Sequence, residues 1–510
     1  LLVHQAETLI WVGVLGVMAA VLSRRGLRFL FGLLLICFLT VNEVYFDLFR
    51  ENMSFLEFKG LGDISIEEIH TLWESLIFDF NKFRLVQAGA GFALWTGIHF
   101  FGFQLKPHIR KLVQVSLGAY VGANILGLLI PSPQMESPFT TLTRSSWMAF
   151  IHNEYEAEPP KIEDQLPAGD AHYPKADPKL IQSALEAKKV LNQRRIRPDV
   201  ILMILESTGT KQLPHTPSIE QLRKHGIFFS NAMVPYPGTI RSHHHLLSGG
   251  YVVAQKNLYR EFGRDYHGES LVQDFRESGY YTCFFSSSHL DFENHEQLIH
   301  QFPFDLVHSF SLIEPKARKL QALHSWGGKE MDTWHYAQEC LENAKKAHQP
   351  FFLVFVTNST HYPYWPVQGT NRERYSLALQ HTDTVLGEMI AHQKGSPTLF
   401  LLTGDHGEAF GETHPFNLLH RNYLYDENMR SFFLFSETGL DLPAFEWNAP
   451  IATGDLRSIL YEWGMASRIP RGFMRTFPDN YQPRPQFFFK NAGGIKLGLK
   501  DGDYKYISEW

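Results

Sequence analysis

The sequence predicts a two-part fold: an N-terminal transmembrane helix bundle, then an α/β domain built on a central, mostly parallel sheet. Three observations carry this. The first 131 residues are dense in apolar and aromatic side chains, broken by short basic loops. From about residue 198 onward, strand-like and helix-like stretches alternate to the end of the chain. Three runs, at 199–205, 351–356 and 398–403, hold continuous apolar stretches (200–205, 351–356 and 399–402) with no alternation, as strands buried on both faces of a parallel sheet must.

In chain order, the stretches at about 8–22, 29–46, 85–105 and 112–130 read as membrane spans. Those at 85–105 and 112–130 contain no Asp, Glu, Lys or Arg. Both are close to the roughly 20 residues a helix needs to cross the hydrocarbon layer. Arg24, Arg25 and Arg28 lie between the first two stretches, and Lys106, Arg110 and Lys111 between the last two. The segment 42–83 is acidic by comparison. The positive-inside rule therefore puts both basic loops in the cytoplasm and everything after Pro131 outside, extracellular or periplasmic. A chain that starts outside at Leu1 predicts one further span upstream, five in all.

Residues 132–197 form a linker. Its first part is rich in Pro, Ser, Glu and Asp. Asp177-Pro178 then pairs an N-cap with a proline at the first helical position. Leu180, Ile181, Ala184, Leu185 and Leu191 stripe one face of the helix that follows. The α/β domain occupies 198–510, where Thr216-Pro217 opens a helix closed by Gly226, and Gly279 closes another begun near Glu269. A net charge of -6 without a long basic run leaves no electrostatic case for nucleic acid. Cys37, Cys283 and Cys340 are widely spaced and suggest neither a disulfide framework nor a zinc pattern.

Chemistry concentrates where the three strands end. In open α/β sheets ligands bind beyond the carboxyl ends of the strands. There stand Glu206, then Thr357-Asn-Ser-Thr-His361, then Gly404-Asp405-His406. One rim thus receives a glutamate, a histidine and an Asp-His pair, the outline of a metal-centred site. Thr239, after Gly238 and before an amphipathic stretch, fits a helix N-terminus, where free N–H groups and the dipole favour an alkoxide or a phosphate. A threonine hydroxyl is a weak nucleophile until a metal or base removes its proton. Glu206, Asp405 and His406 could hold a divalent cation that does so. With Thr239 included, the set is three oxygens and one imidazole, suited to Mn²⁺ or Zn²⁺, with Mg²⁺ the third option. His243, His244 and His245 are adjacent on a helix, so at most one or two face the site. His414 and His420 compete for one role, and spacing to Tyr425-Asp426-Glu427 favours His420. Glu408 and Glu412 read as supporting residues.

These residues carry a resemblance. Leu-Glu-Ser at 205–207, Thr239 followed by Leu-Leu-Ser-Gly249, Asn294-His295 through Asp305, Thr360-His-Tyr-Pro-Tyr364 and Gly404-Asp-His-Gly-Glu408 stand in order. Tyr425-Asp-Glu-Asn-Met-Arg430 and Asp503-Tyr-Lys-Tyr506 fit the C-terminal part. An aromatic outer loop near Tyr45-Phe-Asp-Leu-Phe49 fits the membrane part. From 198 onward the chain resembles the sulfatase and alkaline-phosphatase superfamily, and within it the lipoteichoic-acid-synthase-type membrane phosphotransferases.

The resemblance implies that Thr239 is the covalent nucleophile and that Glu206, Asp405 and His406 are metal ligands. It implies that His361 and His420 contact the transferred group, and that His295 stands at a substrate-binding position. Sulfatases carry a cysteine or serine, convertible to formylglycine, where Thr239 stands; threonine cannot be converted, which disfavours sulfate-ester hydrolysis. They carry an arginine four positions later, where this chain has His243, with Arg241 two positions early; both join the substrate-binding set. His295 replaces the arginine typical of phosphoglycerol transferases.

The function this implies is headgroup transfer at the outer face of the cytoplasmic membrane. A membrane phospholipid would be the donor, and the group, of phosphoglycerol or phosphoethanolamine type, would pass to a glycan or lipid acceptor. The alternative is a membrane-anchored hydrolase of phosphodiesters or sulfate esters. An inactive sulfatase-like binding protein is argued against by the intact Glu, Thr, Asp and His set.

Overall fold

The computed structural model describes residues 177–510 except 195, 214–215, 251–268, 291–294, 314–321, 325, 367–368, 416, 422, 464–480, 482–484, 491–495, 502–503 and 510. The four expected spans, their basic loops, the 42–83 segment, Cys37 and the linker up to 176 lie outside the described residues. Among the described residues no helix is long and apolar enough to cross a membrane.

The first described helix, α1 (Pro178–Asn192), starts as its sequence dictates. The Asp177 side chain accepts from the Lys179 N–H at 2.9 Å, and Pro178 fills a position whose N–H would be unpaired in any case. Ala184, Ala187 and Leu191 are buried, with Leu180 and Ile181 packed beside them.

Strands and helices then alternate: β1 (Asp199–Leu205), α2 (Pro217–Lys224), β2 (Gly226–Met233), α3 (Thr239–Ser248), α4 (Leu271–Glu277), β3 (Tyr281–Ser286), α5 (His295–His300) and β4 (Leu306–Ser309). A small hairpin of β5 (Ala322–His324) and β6 (Gly327–Gly328) precedes α6 (Glu330–Ala347), β7 (Phe351–Val356), α7 (Asn371–His392) and β8 (Thr398–Gly404). After β8 come β9 (Ala409–Phe410), β10 (Leu418–Leu419), α8 (Asp426–Met429), β11 (Arg430–Glu437), β12 (Phe445–Trp447), β13 (Ile451–Ala452) and α9 (Leu456–Glu462). The chain closes with β14 (Gln486–Lys490), β15 (Lys496–Asp501) and β16 (Tyr504–Glu509).

The main sheet runs β12-β2-β11-β8-β1-β7-β3-β4, with β13 also beside β2. Every pairing is parallel except those of β11, which is antiparallel to both β2 and β8. The mostly parallel sheet expected from the apolar runs is therefore present. Its central strand shows why those runs do not alternate. Val200, Leu202 and Ile204 of β1 enter the core on one face, and Ile201, Met203 and Leu205 enter the core on the other. The three strands singled out from sequence are immediate neighbours, β8-β1-β7, so their carboxyl ends share one rim.

Two glycines play different parts. Gly279, at φ +86°, follows α4 in the left-handed conformation that ends helices. Gly226 does not close α2; His225 ends that helix and Gly226 opens β2. A β-carbon there would fall 2.3 Å from the Phe435 carbonyl oxygen, so close approach of β11 requires the glycine.

The cysteine expectation is corrected. Cys283 on β3 and Cys340 on α6 form a disulfide across 57 residues. Helix α6 lies against β3 in the core, where Cys340 meets Cys283. A pairing set by a helix crossing a strand leaves no local spacing signature.

The small antiparallel sheet β14-β15-β16 packs Phe488 and Ile507 against Met233, Val234, Leu424 and Met429.

Candidate active site

The cluster is assembled from two strand ends and one helix start. Glu206 follows β1, Asp405 and His406 follow β8, and Thr239 is the first residue of α3. Glycine makes the approach feasible. A β-carbon on Gly404 would lie 1.6 Å from the Thr208 carbonyl oxygen, so only glycine lets the end of β8 pack against the turn after β1. That turn is strained: Ser207 holds φ at 53°, a left-handed value uncommon for a side-chain-bearing residue. The strain places Ser207 usefully, since its N–H donates to Asp405 Oδ1 at 2.9 Å and its hydroxyl donates to Glu206 Oε1 at 3.0 Å.

Glu206, Asp405 and His406 each offer a ligand atom, and these atoms lie within 4.8 Å of one another. His406 Nε2 stands 3.3 Å from Asp405 Oδ2 and 3.5 Å from Glu206 Oε1. The His406 Nδ1–H donates to the Gly407 carbonyl at 3.1 Å, which leaves Nε2 as the lone-pair nitrogen of the neutral ring. All three side chains are buried, yet Asp405 Oδ2 and His406 Nε2 find no hydrogen-bond partner among the described residues. Buried polar atoms are rarely left so. The two orphaned atoms, beside a second carboxylate and a threonine hydroxyl, fit a divalent cation.

The electrostatics point the same way. Burial, then the charge of Asp405, pushes the Glu206 carboxyl up to about 7. Burial does the same to Asp405, also to about 7. Burial, followed by the neighbouring His420, lowers His406 to about 4. Two carboxyls made reluctant to ionise are uncomfortable alone; a cation would favour their ionised forms, and it would bind the neutral imidazole that burial already favours.

Thr239 Oγ1 donates toward both Glu206 oxygens at 3.2 Å. Its predecessor Gly238 is the N-cap, in extended backbone. A β-carbon on Gly238 would fall 2.8 Å from the Tyr236 ring and 3.4 Å from Arg421 Nε, so the chain passes tightly between them just before the hydroxyl.

Histidines surround this cluster. The His420 ring lies 4.3 Å from that of His406 and 6.0 Å from that of His361, centroid to centroid. His420 Nδ1 is 2.9 Å from Glu408 Oε2. With the shared proton on Glu408, His420 Nε2 carries a hydrogen; with it on Nδ1, Nε2 accepts. Burial raises Glu408 to about 8, and burial with the nearby Arg421 charge lowers His420 to about 3. His243 Nδ1 is 3.1 Å from His295 Nε2, and burial depresses both rings, His243 feeling His295 and His406 as well.

The structure thus brings together Glu206, Thr239, Asp405 and His406, with His361, His420, His243 and His295 around them. Arg241, two residues after Thr239 on α3, is buried with its guanidinium 4.5 Å over the Tyr236 ring and 5.7 Å from Phe489. His414 turns outward, pairing with Glu427 at 2.8 Å and stacking on Tyr425. His244 and His245 are packed, the one bonded to Ser248 Oγ and the other to the Gly250 carbonyl. Sequence reasoning named Ser207 only within the Leu-Glu-Ser motif and gave it no role, because its strained backbone has no pattern. It missed Arg421, whose adjacency to His420 was the only available signal.

No curated protein matches the chain. An alkaline-phosphatase-superfamily protein from Vibrio parahaemolyticus is 18% identical with a TM-score of 0.48, over 64% of this chain and 85% of that one. A lipoteichoic acid synthase from Listeria monocytogenes is 13% identical with a TM-score of 0.48, over 64% and 92%. A sulfatase from Pseudoalteromonas sp. is 14% identical with a TM-score of 0.45, over 67% and 89%. The Sulfatase family model matches residues 198–440, the segment that holds every strand of the rim.

Proposed function

We propose that the protein is a metal-dependent membrane phosphotransferase. It moves a phospholipid headgroup, of phosphoglycerol or phosphoethanolamine type, through a covalent Thr239 intermediate to a glycan or lipid acceptor. One observation carries this reading: a threonine hydroxyl 3.2 Å from both oxygens of Glu206, on the first residue of a helix beside Asp405 and His406. Glu206, Asp405 and His406 would hold Mn²⁺ or Zn²⁺, which when bound supplies charge neutralisation and lowers the hydroxyl pKa.

The remaining work falls to the chain. Thr239 Oγ1 bonds to phosphorus as the bond from phosphorus to the diacylglycerol oxygen breaks. Glu206, already accepting the hydroxyl hydrogen, is placed to take its proton. The first-turn N–H groups of α3 face the negative charge that develops. His420, oriented by Glu408, delivers a proton to the departing alkoxide. The acceptor hydroxyl then gives its proton to His420 and attacks phosphorus, the Thr239–phosphorus bond breaks, and the threonine oxygen takes back the proton held by Glu206. His361, His243, His295 and Arg421 contact the transferred group.

Threonine in the nucleophile position favours phosphoryl over sulfate chemistry, because it cannot become a formylglycine. The apolar first 131 residues favour a lipid donor. The Cys283–Cys340 disulfide favours an oxidising, extracytoplasmic compartment.

Mass spectrometry tests this. The Mn²⁺-loaded protein is incubated with vesicles of phosphatidylglycerol or phosphatidylethanolamine, and the peptide carrying Thr239 is weighed. A headgroup adduct on Thr239 is expected, its mass naming the donor. Diacylglycerol release with no adduct under rapid quench removes the covalent threonine.

A further inference from the structure

Glu330 belongs to neither the cation site nor the histidine ring around it. It is the first residue of α6 and is fully buried. A buried carboxylate needs partners, and Glu330 has four. Its Oε1 accepts from the Asn358 N–H at 2.8 Å and the Ser359 N–H at 2.5 Å. Its Oε2 accepts from the Ser359 hydroxyl at 2.5 Å and lies 3.3 Å from His381 Nε2 on α7. Burial would raise its pKa, but His381, Ser359 and Asn358 outweigh burial and hold it below the usual glutamate value.

These contacts converge on the loop that leaves β7 for the site. At one end Thr357 Oγ1 accepts from the Glu206 N–H at 3.1 Å. At the other the Thr360 hydroxyl donates to the Glu206 carbonyl at 2.5 Å. His361 follows, its N–H bonded to the Asn358 carbonyl at 2.9 Å and its ring beside His420. The loop thus grips the backbone of one cation ligand and presents one substrate-facing imidazole. Its middle, Asn358 and Ser359, has left the sheet, and Glu330 is the acceptor that replaces the missing strand.

We infer that Glu330 is a positioning residue: its carboxylate fixes the 357–361 loop and thereby sets His361 against the transferred group. The role given to His361 rests on the function proposed above. Glu330→Gln keeps the size of the side chain but replaces one oxygen with a donor that cannot accept from Ser359 Oγ.

The experiment compares Glu330→Gln in the wild-type and His361→Ala backgrounds. It uses the full chain with Mn²⁺ and bis(p-nitrophenyl) phosphate as the probe, alongside amide hydrogen exchange of the 355–362 peptide and Mn²⁺ affinity. Exchange in the loop should rise about tenfold or more. Turnover should fall about tenfold at nearly constant KM and Mn²⁺ affinity, yet change by less than about twofold when His361 is already alanine. Unchanged exchange, or an equal loss of turnover in both backgrounds, overturns the inference. If Glu330→Gln does not fold, Ser359→Ala removes one partner of the same carboxylate, and the same two readouts decide. A wild-type protein inert toward the diester would count against the proposed function, and loop exchange alone would then decide the role of Glu330.

Discussion

Replacing Thr239 with alanine separates chemistry from architecture. The side chain is half-buried and contributes one hydroxyl, shared between two Glu206 oxygens at 3.2 Å. Losing so long a hydrogen bond costs about 1 kcal/mol, which in a domain of this size lowers Tm by roughly 2 °C. Glu206, Asp405 and His406 stay in place, so cation content should be retained. Turnover is another matter. Loss of a covalent nucleophile costs on the order of 10³-fold or more, which is about 4 kcal/mol of barrier.

The prediction is therefore a fourfold disparity in free energy between activity and stability at one residue. Thr239→Ser keeps the hydroxyl and should keep part of the turnover. The assay is diacylglycerol release from labelled phospholipid vesicles, with Tm and bound metal measured on the same preparations. An alanine variant that turns over at the wild-type rate refutes the reasoning. So does one whose loss is matched by unfolding or loss of the cation.

The metal-free protein should lose stability as pH rises. Glu206 and Asp405 have folded pKa values raised to about 7, so the folded state holds more protons than the unfolded chain between about pH 4 and pH 7. Thermal unfolding in chelator should show a fall on the order of a few kcal/mol across that window, and Mn²⁺ should restore both Tm and activity; a flat profile contradicts the reading. Replacing Cys283 and Cys340 together should destabilise the domain, by about 4 kcal/mol if loop entropy dominates, since the bond closes a 57-residue separation. Peptide mapping without reductant checks that the bond exists, and denaturant melts check its worth. For topology, a cysteine at Ser183 should react with an impermeant label on intact cells and one at Arg110 should not; the reverse pattern overturns the orientation.

The sheet was legible where burial is uniform. The β1, β7 and β8 runs are continuously apolar through their middles because helices cover both faces, and that composition is visible in the sequence. The place of β11 was not legible. Arg430-Ser-Phe-Phe-Leu-Phe-Ser-Glu437 is as apolar as its neighbours, yet it runs antiparallel between β2 and β8. Strand order and direction are properties of the chain's return path, and no residue in the strand encodes them. The disulfide escaped for a related reason: Cys283 and Cys340 meet only because α6 lies against β3.

The site divides along the same line. Glu206, Asp405 and His406 could be found because each follows a readable strand, and strand ends are where open sheets bind ligands. Thr239 could be found because a glycine and a helix start flank it. Glu330 could not. An acidic residue in the first turn of a helix ordinarily complements the helix dipole from the surface, at a gain of well under 1 kcal/mol or so. Asp332, one turn position away, fits that ordinary role and is half-exposed. The two acids look alike in sequence, and what separates them is complete burial of one against a loop 28 residues downstream. A carboxylate with three donors converging on it in a dry interior is a far larger commitment than dipole complementation, because removing its acceptor strands each donor without water. Residues that face the site through a strand end announce themselves; residues that hold such a strand end in place become visible only when their burial is known.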